Sequence, residues 1–291
     1  MSDLVAISDL RKKAETVPDF TEVMGRFIDN NLIMSRQLST GGCATEILGP
    51  QGTGKTSLML SYATRIMQEY PDEIIIWKDS YQAQCQFNRL ENWAIFVQDG
   101  VSLVFRDIHK DEIYDVPMTV FKDFKHLSNL VSPQQLNVVY VNDDIIDFIK
   151  LINFFRRHRG WQSIFIDEYR DIAPLNAPGI QNQLIGALGS EISAIRKGLV
   201  SLFVNTQSKS QIDWRVRDAW MVNTYLAGAK RDKYSSVYQQ AINSLEKGVA
   251  WVSWEGKFGR ISFPPFEPID PVLDVDNVNK ISLIDSLLSK I

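Results

Sequence analysis

The stretch that most limits what this chain can fold into is Gly49-Pro50-Gln51-Gly52-Thr53-Gly54-Lys55-Thr56, which fits G-x-x-x-x-G-K-[ST] at every fixed position. Its setting matters as much as its letters. Ala44 to Leu48 reads as a short strand before it, and Thr56 to about Gln68 as a helix after it. A glycine-rich turn between strand and helix aims successive backbone N–H groups at one phosphate-sized space, with the positive end of the helix behind them. Lys55 is then expected to reach the β- and γ-phosphates, and the Thr56 hydroxyl to bind Mg²⁺. Gly49 through Ser57 form the expected nucleotide-binding stretch. The ligands this loop predicts are ATP, as the nucleoside triphosphate, and Mg²⁺.

A second motif complements the first. Ser163-Ile164-Phe165-Ile166 favours a buried strand and delivers Asp167 and Glu168 to the carboxyl edge of a sheet, where open α/β sheets place their ligands. Asp167 is the expected Mg²⁺ partner, directly or through water. Glu168 is the expected base that orients and deprotonates an attacking water. The alternative is a surface carboxylate pair after a core strand. An adjacent Asp-Glu points to hydrolysis, because a small-molecule kinase needs no water-activating carboxylate. The next apolar run, Ser201 to Val204, ends in Asn205, Thr206 and Gln207. A neighbouring parallel strand would bring one of these beside the γ-phosphate to sense its presence.

From Thr45 onward short apolar runs alternate with helical patterns, which predicts an α/β fold: a RecA-like P-loop core with a mainly parallel sheet flanked by helices. Glu73–Trp77, Asn137–Val141 and Trp220–Leu226 read as strands; about Asp143 to Arg157 and Gln181 to Arg196 read as helices. Ala94–Val97 and Val101–Phe105 are expected to pair as a hairpin around Asp99-Gly100. A helix is expected near Tyr234 to Leu245, and two strands around Glu255-Gly256. Residues 1–38 read as a separate helical segment with Phe20, Val23, Met24, Phe27, Ile28 and Leu32 expected on one face. Residues 39–263 are the expected ATPase domain. Residues 264–291, rich in Pro and Asp, read as an extended tail ending in a short helix with Ile281, Ile284 and Leu288 on one side.

Composition removes several alternatives. Among 291 residues, Lys and Arg total 31 against 35 for Asp and Glu, a net charge of -4, so this is no chain coated all over in cations. A local basic patch remains compatible with that average. Two cysteines, Cys43 and Cys85, are too few for a disulfide framework or a four-thiolate zinc site, and are expected to be reduced and buried. No apolar run approaches the ~20 residues of a membrane span, and the N-terminus is no secretory signal. A cytoplasmic location is expected.

The order GPQGTGKT, IFIDE, FVNTQ resembles the FtsK–HerA superfamily of P-loop ATPases over roughly residues 44 to 228, with Gln207 the most specific element. Ser210 to Arg217 is also similar to phage-assembly ATPases of the Zot type. A GTPase would show Asn-Lys-x-Asp after the Asp167 strand, and none is found. Leu38-Ser-Thr-Gly-Gly42 lies on the wrong side of the loop for a transporter signature. An AAA+ protein has less chain between Lys55 and Asp167, and that reading is the weaker one. The superfamily resemblance implies a ring motor, hexamer or pentamer, that translocates double-stranded DNA and packages a viral or plasmid genome, in the host cytoplasm if viral. It implies a catalytic Gln207 beside Glu168 and Lys55. It also implies an arginine lent in trans, with Arg156, Arg157 and Arg159 the first candidates and Arg215 and Arg217 the second. Arg170 is the one arginine close in sequence to the Asp167 motif. The tail would dock on another subunit or on a capsid or portal protein. The alternative is an assembly or secretion ATPase of the Zot type, acting on a protein partner without DNA.

Overall fold

Short β-branched and aromatic runs alternate with amphipathic helices along this chain, and they assemble into one long sheet and one short one. The structure, a computed structural model, describes residues 28–29, 42–79, 83–142, 145–158, 160–195, 197–217, 219–230, 239–254, 257–264, 266 and 271–278. The expected N-terminal helix, except Ile28 and Asp29, and the expected C-terminal helix lie outside these residues.

In chain order the first strands are β1 (Ala44–Leu48), β2 (Ile74–Lys78), β3 (Ala83–Gln84), β4 (Trp93–Gln98), β5 (Leu103–Asp107), β6 (Glu112–Tyr114) and β7 (Met118–Phe121). They are followed by β8 (Leu136–Tyr140), β9 (Gln162–Ile166), β10 (Val200–Thr206), β11 (Val222–Tyr225), β12 (Val249–Trp254), β13 (Lys257–Ser262) and β14 (Leu273–Asn277). The helices are α1 (Lys55–Glu69), α2 (Phe124–Leu130), α3 (Ile146–Arg157), α4 (Gly179–Ile195), α5 (Trp214–Arg217) and α6 (Gln239–Asn243).

The long sheet has the order β13-β12-β11-β1-β10-β9-β2-β8-β4-β7. All pairings from β11 to β7 are parallel, and β12 and β13 add an antiparallel hairpin at one edge. Parallel strands need both faces covered. Phe165 and Phe203 point to the α1 face, where their rings stack 4.6 Å apart and Tyr62 of α1 packs on Phe203. Ile164, Ile166, Leu202 and Val204 point to the other face, under α3 and α4. Close approach on that second face needs Gly189 of α4: a Cβ there would sit 2.5 Å from the Arg215 carbonyl oxygen of α5. No helix among the described residues is long and apolar enough to cross a membrane.

Two expectations are corrected. The turn at Asp99-Gly100 forms, with Gly100 at φ 88° and the Val101 amide bonded to the Gln98 carbonyl at 3.0 Å, yet its flanking strands do not pair. β4 lies between β8 and β7 in the long sheet, while β5 joins a second sheet of order β3-β14-β5-β6. The reason is burial: Ile95, Phe96 and Val97 in succession need cover on both faces, which an interior parallel strand has and a hairpin arm does not. The second correction concerns the tail. Residues expected to extend away form β14, which pairs antiparallel with β5 and β3. Leu273 and Val275 alternate with Asp274 and Asp276, and the apolar pair is buried against the α1-face core.

Candidate active site

β1 ends at Leu48 and the chain turns at once through the glycine-rich loop into α1. Gly52 and Gly54 take φ values of 79° and 94°, in the left-handed region where a Cβ is costly. The Thr53 hydroxyl donates to the Pro50 carbonyl at 2.8 Å and pins the loop. Gly54 is the N-cap of α1; no side chain caps the helix and its first turn carries no acid. The N–H groups there are therefore open to an anion. The Lys55 ammonium lies across the loop, donating to the Gly49 and Pro50 carbonyls at 3.0 and 3.1 Å.

β9 lies two places from β1, with β10 between them. It delivers Asp167 and Glu168 to the same carboxyl edge as the loop. Asn205 of β10 joins the two acids: its Nδ2 donates to Asp167 Oδ1, and its Oδ1 accepts the Glu168 amide at 3.0 Å. Glu168 is a non-glycine residue at φ 52°, a strained backbone held in place by these contacts. Its Oε1 is buried without a hydrogen-bond partner among the described residues.

Burial raises the Glu168 carboxyl above its ordinary range, opposed by the Lys55 charge. Burial raises Asp167 also, opposed by the Asn205 hydrogen bond and by Lys55 and Lys78. Lys55 is pulled down by its own burial, against the attraction of Glu168 and Asp167. Lys78 is a cation the sequence reading missed. It ends β2, whose register sets it beside Ile166 on β9, and its ammonium lies 5.4 Å from the Phe148 ring centroid. Only the strand order makes it a neighbour of Asp167. Asp79, the next residue, is buried; burial pushes its carboxyl up to about 7, while the Gln86 amide and Trp77 Nε1, at 3.0 and 2.9 Å, oppose the shift.

Other expected site residues fall in different places. Gln207 follows the last residue of β10 and is half-buried; Asn205, two residues earlier, makes the bond to Asp167. The Thr206 hydroxyl is buried without a partner among the described residues. Arg156 is tied to Glu191 of α4 at 2.6 Å. Arg215 bonds Asp213 and Asn182. Arg157 is exposed at the end of α3, Arg217 is half-buried in α5, and Arg159 lies outside the described residues. Arg170 faces Asp171 at 3.6 Å.

Among the described residues, no group of three or more His, Cys, Asp or Glu is placed to hold a metal by itself. Mg²⁺ takes hard oxygen ligands from one or two side chains and completes its shell with phosphate and water. Thr56 and Asp167 have the donors for it.

No protein-family model and no curated protein sequence matches this chain. Solved structures do share its fold. The genome packaging NTPase B204 from Sulfolobus turreted icosahedral virus 2, in complex with sulfate, superposes with a TM-score of 0.51 at 15% identity, over 78% of this chain and 98% of that one. The same NTPase with ATP-gammaS gives 0.50 at 15% identity, over 78% and 98%. With AMPPCP it gives 0.51 at 15% identity, over 79% and 100%. At this identity the likeness is one of fold. The chain has the mixed α/β fold of a P-loop ATPase, the fold these genome-packaging NTPases share.

Proposed function

We propose that this chain is an ATP-hydrolysing motor that assembles as a ring and moves duplex DNA, packaging a viral or plasmid genome in the host cytoplasm. The observation that carries the hydrolytic part is Glu168 Oε1, a buried acceptor without a partner among the described residues, on a carboxyl raised in the direction a general base needs. Two features support ATP as substrate: the glycine loop opening an uncapped helix, and the ATP analogues held by B204. The packaging reading rests on what the B204 structures are named for, joined to the order of the three motifs.

In this reading each residue of the site has its own task. Loop N–H groups and Lys55 bind the β- and γ-phosphates. Glu168 takes the proton of the attacking water. Asn205 holds Asp167 and the Glu168 backbone, so that a change at the phosphate reaches the segment after β10. Thr56 and Asp167 hold Mg²⁺, which when bound neutralises charge on the phosphate oxygens. Arg156 pairs with Glu191 and Arg215 with Asp213 inside their own chain; Arg157, exposed at the end of α3, and Arg217 of the second cluster are the candidates for the trans role. A trans arginine is worth about 10³ to 10⁵ in rate.

The test is ATP turnover with and without duplex DNA, run beside a mass measurement of the oligomer. Stimulation by DNA and activity that rises with protein concentration are expected. DNA-independent, concentration-independent turnover from a monomer would overturn the ring-motor reading.

A further inference from the structure

Helix α3 carries a site that the nucleotide does not use. It starts on the side of the sheet where β8 ends and finishes just before β9 begins, so Arg157 lies at the amino edge of the sheet while Asp167 lies at the carboxyl edge. A five-residue strand separates them by about 16 Å. Within one chain the end of α3 is out of reach of the phosphates.

Lys150, Asn153, Phe154 and Arg157 follow the i, i+3, i+4, i+7 spacing of one helix face, and with His158 they line a cleft of roughly 420 Å³. Asn153 Oδ1 there is buried without a partner among the described residues. The Lys150 ammonium is 3.1 Å from Asp147 with its side chain 61% exposed, a pair that solvent screens. Phe154 packs on Phe124 of α2 at 6.4 Å, and the exposed Lys122 and Lys125 flank Phe124 in the chain. The Asp123 carboxylate between those lysines caps α2, accepting the His126 amide at 2.7 Å. Lys122, Lys125, Lys150 and Arg157 thus outnumber Asp123 and Asp147 on a protein whose net charge is -4.

We propose that this α2–α3 face is a docking strip for the phosphate backbone of duplex DNA. The inference rests on the DNA-motor reading and deepens it. Lys150 and Arg157 stand about 10 Å apart along the helix, the rise of about three successive phosphates on one strand. Lys150 and Arg157 line the cleft together with Phe154, and side chains of this kind lay their stems on apolar surface while the charged head stays in water. Arg157 then serves DNA, and the second arginine cluster is the candidate for the trans role.

The experiment measures binding of labelled duplex DNA to the full chain across a salt series, with Lys150→Glu, Lys125→Glu and, as a control from the other edge of the sheet, Lys247→Glu. A thermal melt checks that each variant folds. The first two should each weaken binding roughly three- to tenfold and lower the salt slope by about one, while Lys247→Glu matches wild type. Equal binding by all three variants would overturn the strip while leaving the motor reading in place. So would a fall in DNA-free turnover with Lys150→Glu, because the cleft would then belong to a subunit interface at the nucleotide. In the same assay run with labelled poly-glutamate, variants that lose poly-glutamate binding but keep DNA binding would overturn it in favour of an acidic protein partner. A wild-type chain that neither binds duplex DNA nor is stimulated by it would sink the motor reading itself.

Discussion

Asn205 on β10 bonds Asp167 on β9 through its Nδ2 while its Oδ1 accepts the amide of Glu168, so one neutral side chain fixes both acids of the site. Asn205→Ala removes that clamp and leaves the Glu168 N–H without its acceptor. Partners of this kind are worth about 10- to 100-fold in metal affinity or activity. Turnover should fall by that much while a non-hydrolysable ATP analogue binds within a few-fold of wild type. Wild-type turnover in Asn205→Ala would move the sensing role to Gln207.

Glu168 and Lys55 should fail in different ways. Glu168→Gln keeps size and backbone but cannot take a proton, so kcat should drop about 10²-fold or more with analogue binding retained. Lys55→Ala removes the ammonium at the loop, and binding itself should weaken. A Glu168→Gln enzyme that hydrolyses at the normal rate would remove Glu168 from the base role.

Beneath the nucleotide edge, Lys209 in the turn after β10 reaches back to Glu46 of β1, with Nζ 3.2 Å from Oε2, and donates to Asn223 Oδ1 at 2.6 Å. Glu46 is fully buried. Lys209→Met strips the ammonium from a buried carboxylate and should cost about 3–5 kcal/mol, whereas Lys209→Met with Glu46→Leu should restore most of it. Denaturant unfolding of the single and double variants reads the difference. A single variant as stable as wild type would show that other groups carry the Glu46 charge.

The candidate site was legible wherever its proposed chemistry is written in consecutive residues. Gly49–Thr56 and Ser163–Glu168 each hold their meaning within one turn or strand end, because loop geometry and strand direction are local. Lys78 and Asp79 were not legible, since nothing near them in sequence says that β2 lies beside β9. The same limit hid the partners of β4 and β5: the turn between them is local, but the choice of sheet depends on burial across the whole core. The strand pattern left Asn205, Thr206 and Gln207 as equals and the family resemblance singled out Gln207, whereas Asn205 bonds Asp167, because strand parity against Asp167 depends on a register that only the folded sheet sets. In β14 the alternation of Leu273, Asp274, Val275 and Asp276 was a strand signal that the surrounding prolines and acids obscured.

That alternation can be tested directly. Leu273→Ala and Val275→Asp place a cavity or a charge in the α1-face core and should each destabilise by about 2–5 kcal/mol. Asp274→Ala and Asp276→Ala, on the opposite face, should stay within about 0.5 kcal/mol. Four equal small effects would show that β14 is not part of the core.

Asp79 gives a prediction in pH. Its carboxyl titrates at about 7 in the folded chain, raised by burial from 3.8. Below about pH 4 the group is protonated in both folded and unfolded states and contributes no difference. Between about 4 and 7 the unfolded chain has lost the proton that the folded chain keeps, so stability falls as pH rises. Above about 7 both states are ionised and the penalty is complete, on the order of 4 kcal/mol. Asp79→Asn removes this ionisation, keeps an acceptor for Trp77 Nε1 and loses the one for the Gln86 amide, a cost that does not vary with pH. Asp167 and Glu168, also raised by burial, titrate in both proteins and largely cancel in the comparison. Measured without Mg²⁺, the stability of Asp79→Asn relative to wild type should therefore climb from pH 4 to pH 7 and then level off. A difference that is flat from pH 4 to pH 8 would mean that Asp79 is ionised in the folded chain throughout, and that the Trp77 and Gln86 hydrogen bonds outweigh its burial.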